Sequence, residues 1–154
     1  MERNEAIKCI MDSVTDDIVV SSCGMISREV FAVKDRPRNF YVQGSMGATL
    51  PIAIGLALSK PNQKVVAIVG DGETLMNLGT LVLMKKLDLK NLELFILDNN
   101  QYETTGGQQT CSDSIDFRTL CYCKVIYCSK SKEKAPRISI SHGEIRRRFM
   151  EAIK

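Results

Sequence analysis

Two short polar motifs follow strand-like apolar segments and could together bind a hard metal ion. Gly70-Asp71-Gly72 comes directly after one such segment, and Asp98-Asn99 follows a second one after 25 intervening residues. In open α/β sheets ligands bind at the carboxyl ends of the strands, so neighbouring parallel strands would aim Asp71 and Asn99 at one place. A carboxylate and an amide oxygen suit Mg²⁺, which takes few protein ligands and completes its shell with phosphate oxygens and water. The spacing therefore predicts a magnesium and diphosphate site.

Gly72 adds to this prediction because a residue without a side chain lets a phosphate approach the backbone closely. The segment after Gly72 is predicted to be helical, and its first amide groups can face an anion. Taken alone, Gly-Asp-Gly is equally typical of a simple strand-to-helix turn. The second motif, at this spacing and after a second strand, favours the binding site.

Strand-like and helical segments alternate along the chain and would position these motifs. Strands are predicted at residues 17–21, 40–42, 64–69 and 92–97. Helices are predicted from the N-terminus to about Val14, from Gly24 to about Val33, over 47–59, from after Gly72 to about Leu87, and after Ser141. The last of these begins with a capping box, since Ser141 precedes Glu144 by three residues. The order predicts an α/β fold, with three layers and a mostly parallel sheet covered by helices on both faces, in a single domain over 1–154.

The composition argues against several classes of protein. The chain has 154 residues, of which 44% are hydrophobic and 25% charged, with a net charge of +3. The arginine run 146–148 is interpreted as a solvated helix face, which argues against a nucleic-acid binder. No stretch approaches the ~20 apolar residues of a membrane span. The charged N-terminus does not resemble a signal peptide, so we expect a cytoplasmic protein.

The cysteines do not form a recognisable metal motif. There are six, and the closest pair is Cys121-x-Cys123, with no CxxC spacing; His142 is the only histidine. Zinc and iron–sulfur sites use better-defined spacings. Reduced thiols in a cytosolic protein are the expected interpretation.

Beyond these motifs, the sequence resembles a known family of thiamine-diphosphate-dependent enzymes. It is similar to the cofactor-binding (beta) subunit of sulfopyruvate decarboxylase and to the related phosphonopyruvate decarboxylase. The stretches that carry the resemblance are 35–41, 44–47, 70–79 and 105–108. The fold that this implies is the thiamine-diphosphate-binding fold.

The resemblance implies a set of residues around the metal and the diphosphate. Asp71, the side chain of Asn99 and the backbone carbonyl of Gln101 would bind Mg²⁺. Gly72 and Glu73 would offer backbone N–H groups to the diphosphate. Gly70 and Tyr102 would complete this part of the site. Asn99 is preferred over Asn100 because Tyr102 and the stretch 105–108 then fall in register with the family.

A second set of residues would hold the aminopyrimidine ring of thiamine diphosphate. The resemblance implies that the carbonyl of Gly44 accepts from the exocyclic amine and that the amide of Met46 donates to a ring nitrogen, with Ser45 between them. The Met46 side chain would keep the cofactor bent. An ordinary core methionine is the alternative for Met46.

The implied activity is that of an enzyme subunit. It would be a carboxy-lyase that converts 3-sulfopyruvate or 3-phosphonopyruvate, both small anionic 2-oxoacids, to the corresponding aldehyde and CO₂. Relatives use a glutamate beside the pyrimidine on a second domain, and this chain has no matching motif. We therefore expect no catalytic residue here and a hetero-oligomer with a pyrimidine-domain (alpha) subunit. Gln108 and residues of the partner are candidates for binding the anionic tail.

One departure from the family concerns the C-terminal part. Only eight residues, 128–135, separate Tyr127 from Pro136. A strand-to-strand crossover needs a dozen or more. One helix and one strand are therefore expected to be absent, which would leave a sheet edge or apolar surface uncovered. The alternatives that stay open are a degenerate or regulatory paralogue that binds the cofactor without activity, and the cofactor subunit of another 2-oxoacid enzyme.

Overall fold

A computed structural model describes all residues 1–154, and its central feature is a parallel sheet of five strands. The strand order is β2-β1-β3-β4-β7, and all four pairings are parallel. The strands are β1 (Ile18–Ser21), β2 (Asn39–Tyr41), β3 (Val65–Gly70), β4 (Leu92–Asp98) and β7 (Lys124–Tyr127). A separate hairpin pairs β5 (Gln101–Tyr102) with β6 (Gln108–Gln109).

Helices cover both faces of this sheet. They are α1 (Arg3–Ser13), α2 (Met25–Lys34), α3 (Thr49–Ser59), α4 (Asp71–Met76), α5 (Leu78–Leu87) and α6 (His142–Ala152). Side chains of a strand alternate between the two faces. Val65 and Ala67 accordingly pack with α3 and α5, whereas Val66 and Ile68 pack with α1 and α2. The three-layer α/β fold predicted from the sequence is confirmed.

The helix predicted between Gly72 and Leu87 is divided in two at Asn77. This residue leaves the helical region of backbone space, at φ −141° and ψ 49°. Its side-chain nitrogen donates to the carbonyl of Gly47, 2.9 Å away. Periodicity alone could not reveal the break because its cause lies 30 residues away in the chain.

Helix α6 begins as its capping signal predicts. The Ser141 hydroxyl accepts from the backbone N–H of Glu144 at 3.2 Å. The interpretation of 146–148 as a solvated face is wrong for Arg148. That side chain is largely buried and pairs with Asp35, whereas Arg147 is exposed.

The C-terminal part is short, as the residue count predicts. After β7 the chain forms one isolated bridge, between Ser129 and Glu2, and no further helix or strand before α6. The outer edge of β7 therefore has no partner strand in the sheet. Lys124 and Tyr127 are exposed on it. No helix of the structure has the length and apolar character to cross a membrane.

Candidate functional site

A cleft opens at the carboxyl ends of β1, β3 and β4, where parallel α/β sheets bind ligands. Eight of the ten residues predicted to bind cofactor line it. They are Met46, Gly70, Asp71, Gly72, Glu73, Asn99, Gln101 and Tyr102. The sequence motifs that are far apart in the chain thus meet in one place. Whether they bind a cofactor stays a prediction.

The two remaining predicted residues, Gly44 and Ser45, lie outside this cleft. Both are exposed in the turn after β2 and adopt left-handed backbone, with φ of +63° and +49°. Glycine adopts that region freely, whereas serine does so at a cost. Gln108, the candidate for the substrate tail, is exposed on β6 and is also not part of the cleft wall.

Gly72 lies under two side chains, which explains why this position has no side chain of its own. A Cβ built there would come within 2.5 Å of the Tyr102 ring and 3.3 Å of the Met46 methyl carbon. Both side chains line the open cleft, whose volume is about 90 Å³. Met46 is 42% exposed, so the alternative of a core methionine does not fit.

Asp71 is a buried carboxylate without a cationic partner. Its Oδ2 accepts from the Thr110 hydroxyl at 2.5 Å, and the residue is 2% exposed. Burial raises the pKa of this carboxyl, and the nearby Asp98 adds to the rise; the Thr110 hydroxyl and the backbone N–H groups of Asn99 and Gly72 oppose it. A buried charge without a counter-charge is unfavourable. A divalent cation at this point would supply the missing positive charge, so the donor set fits Mg²⁺.

Asn99 and Asn100 face different surroundings. The Asn99 side chain lines the cleft, and its Oδ1 accepts from the backbone N–H of Gln101 at 3.1 Å. Asn100 has left-handed backbone, with φ +53°, and its Oδ1 lies 3.0 Å from the Thr110 hydroxyl oxygen. The choice of Asn99 as the ligand stays a prediction. No cluster of three histidine, cysteine, aspartate or glutamate side chains is arranged to hold a metal, so a Mg²⁺ site would use amide and carbonyl oxygens.

The Glu73 side chain has a role that the sequence did not reveal. Its Oε1 accepts from the backbone N–H groups of Gly47 and Thr49, at 3.2 and 3.1 Å. Helix α3 begins at Thr49 and has no capping side chain of its own. Glu73 thus caps α3 from another helix and ties the turn at 44–47 to the end of β3. Its other oxygen is buried without a partner.

A buried ion network that the sequence analysis missed forms another wall of the cleft. Arg3 binds Glu29 with two hydrogen bonds, of 2.9 and 2.8 Å, and also pairs with Glu103. Arg3 and Glu103 both line the cleft. A signal for Arg3 was present, because it lies on the same helical stripe as Ala6, Ile7 and Ile10.

Comparisons with known proteins identify the family of this chain. The family model described as "Thiamine pyrophosphate enzyme, C-terminal TPP binding domain" matches residues 20–122. These residues contain every predicted cofactor position. The chain belongs to this family of thiamine-diphosphate-binding domains.

Within this family the chain groups with one kind of subunit. It is 39% identical to the sulfopyruvate decarboxylase subunit beta of Methanococcus maripaludis, over all of this chain and 98% of that one. It is 41% identical to phosphonopyruvate decarboxylase of Streptomyces viridochromogenes over 66% of this chain, but only 25% of that longer protein. The chain is a member of the sulfopyruvate decarboxylase beta-subunit family.

A solved structure supports the fold. A protein of Mycobacterium smegmatis assigned to the thiamin diphosphate-dependent enzymes superposes with a TM-score of 0.65 at 22% identity, covering 78% of this chain and 24% of that one. The alignment with the Methanococcus subunit spans 183 positions against 154 residues here, so at least 29 positions have no counterpart in this chain.

Proposed function

We propose that this chain, as a single domain over residues 1–154, is the cofactor-binding subunit of a two-subunit 2-oxoacid decarboxylase. It would bind thiamine diphosphate through Mg²⁺ and, with a pyrimidine-domain (alpha) subunit, convert 3-sulfopyruvate or 3-phosphonopyruvate to the aldehyde and CO₂. The observation that supports this most directly is the buried, unpaired Asp71 carboxylate in contact with the backbone of Asn99 at two adjacent strand ends.

Each residue has a defined task in this proposal. Asp71, the Asn99 amide oxygen and the Gln101 carbonyl would hold the metal, and the amides of Gly72 and Glu73 would face the diphosphate. Gly44, Ser45 and Met46 would contact the pyrimidine, with Met46 already positioned over Gly72. When bound, thiamine diphosphate supplies the cationic ring that accepts the electron pair left by departing CO₂. The chain itself would orient that group and help to exclude water.

Two features of the chain support a partner subunit. The catalytic glutamate expected from the family has no counterpart here, and the turn at 44–46 is exposed. The names of the relatives support a partner, since the Methanococcus protein is called "subunit beta". We expect the complex in the cytoplasm.

The test is calorimetric titration of the two-subunit complex with thiamine diphosphate and Mg²⁺. We expect Asp71→Asn to abolish measurable binding because the metal loses its charged ligand. Asp12→Asn is the control: Asp12 is exposed on α1 and does not line the cleft, and we expect wild-type affinity in this variant. Wild-type affinity in the Asp71→Asn variant, or binding that does not need Mg²⁺, would overturn the proposal.

A non-catalytic paralogue is the second candidate, and the 29 missing positions favour it. The two candidates differ in one measurement, the release of CO₂ from 3-sulfopyruvate by the complex. Cofactor binding without CO₂ release, from that substrate or from 3-phosphonopyruvate, would support the paralogue.

A further inference from the structure

The ion network beside the cleft reaches one of the proposed metal ligands. Arg3 and Glu29 are nearly inaccessible, with side chains 5% and 3% exposed, and Glu103 is 17% exposed. Arg3 lies at the start of α1, Glu29 on α2, and Glu103 directly after the short strand β5. The guanidinium therefore joins three separate parts of the chain at the wall of the cleft.

Glu103 connects the ion network to Asn99 through a hydrogen bond. Its Oε2, the atom that pairs with Arg3, also accepts from the side-chain nitrogen of Asn99 at 3.3 Å. The Asn99 oxygen lies on the other side of the amide and accepts from the Gln101 backbone N–H. The hydrogen-bond partners of Asn99 thus determine which side of its amide carries the oxygen and which carries the nitrogen.

The orientation of this amide decides whether Asn99 can bind a cation. An asparagine amide rotated by half a turn exchanges its oxygen for an NH₂ group, which has donors only. A carboxylate accepts hydrogen bonds and cannot donate them, so Glu103 tolerates the nitrogen and repels the oxygen. Since Arg3 holds Glu103 in place, the rotated form would set two oxygens against each other.

We propose that Glu103, held by Arg3, is a positioning residue that fixes the Asn99 side chain with its oxygen available to the metal. This inference rests on the proposed function, because it concerns the same metal site. Glu29 has a different part: it anchors Arg3 and does not contact Asn99. The two glutamates therefore provide a matched pair of variants.

The experiment measures Mn²⁺ binding to the two-subunit complex in the presence of thiamine diphosphate, by electron paramagnetic resonance, together with thermal unfolding. Groups that orient a metal ligand typically contribute about 10–100-fold to metal affinity. We expect a loss in this range for Glu103→Leu, and a smaller one for Glu103→Gln, which keeps an acceptor oxygen. Glu29→Gln should lower the unfolding temperature and leave Mn²⁺ affinity unchanged.

A double variant separates orientation from folding. In Asn99→Asp both side-chain oxygens can bind the metal, so no neighbour has to fix the orientation of that side chain. In the double variant that combines Asn99→Asp with Glu103→Leu, the repulsion between carboxylates at positions 99 and 103 is also absent. We expect this double variant to bind Mn²⁺ at least ten-fold more tightly than Glu103→Leu alone. Because a carboxylate also binds the cation more strongly than an amide does, Asn99→Asp alone is the reference: we expect adding Glu103→Leu to cost no Mn²⁺ affinity in that background, whereas a purely structural role predicts the same loss as in the wild type.

The outcomes distinguish this inference from the proposed function. If the wild-type complex binds no Mn²⁺, the proposed function fails and the positioning role with it. If the wild type binds Mn²⁺ and Glu103→Leu binds it equally well, only the positioning role fails. Equal losses of affinity in Glu103→Leu and Glu29→Gln would also overturn it, because Glu29 does not touch Asn99.

Discussion

At the scale of single residues, the site depends on polar groups whose burial is only partly compensated. Asp71 is held by one hydroxyl and backbone amides and has no cation beside it. Such an arrangement costs stability in the free protein and is offset when a cation binds. The carboxylate whose burial is unfavourable is therefore the group that would give the site affinity for a metal.

This cost predicts a pH dependence. In the unfolded chain the Asp71 carboxyl loses its proton near pH 4, whereas burial raises its pKa in the folded protein. Between the two values the folded state binds more protons, so this group lowers the free energy of unfolding as pH rises. In metal-free buffer we expect Asp71→Asn to be more stable than the wild type at pH 7, with the difference shrinking towards pH 4. Urea unfolding at several pH values measures this; a difference that does not change with pH would contradict it.

At the scale of elements, two side chains join the start of α3 to α4 and its C-terminal end. Glu73 accepts from two backbone N–H groups at the start of α3, and Asn77, one turn later on the same side, donates to the carbonyl of Gly47. The turn that would contact the pyrimidine is thereby fixed to the helix that follows Asp71. Hydrogen bonds thus connect the proposed pyrimidine-binding turn to the proposed diphosphate-binding helix.

This connection predicts that Glu73→Ala destabilises the protein by about 1–3 kcal/mol, because two amide groups lose their acceptor. Glu73→Gln keeps an oxygen and should lose less. The measurement is urea unfolding without cofactor. Glu133→Ala, at an exposed position, serves as control and should change the free energy of unfolding by less than about 0.5 kcal/mol. An effect of that small size in Glu73→Ala would show that α3 needs no cap from α4.

The elements also show how far the sequence can be interpreted. The buried strands and apolar helices were predictable because their periodicity is local, and the meeting of Asp71 with Asn99 followed from strand order. The cap by Glu73, the break at Asn77 and the burial of Arg148 were not, since each depends on a partner more than twenty residues away. Arg3 is intermediate: its place on the apolar stripe was visible, but its partners Glu29 and Glu103 were not.

At the scale of the whole molecule, two surfaces lack a covering. One is the outer edge of β7, which has no partner strand in the sheet. The other is the turn at 44–46, whose residues are all exposed although they precede the buried start of α3. The second includes Met46, which lines the cleft, so we expect a partner subunit to act on cofactor affinity through it.

A ring placed on the turn at 44–46 would have one face in water until a partner covers it. Burying roughly 60 Å² of ring surface at about 25 cal/mol per Å² contributes about 1.5 kcal/mol, or about ten-fold in affinity. We therefore expect thiamine diphosphate to bind the two-subunit complex at least ten-fold more tightly than this chain alone, by calorimetry at saturating Mg²⁺. The Asp71→Asn variant should still assemble with the partner and gain no affinity. Equal dissociation constants with and without the partner would mean that the cofactor site is complete within this chain.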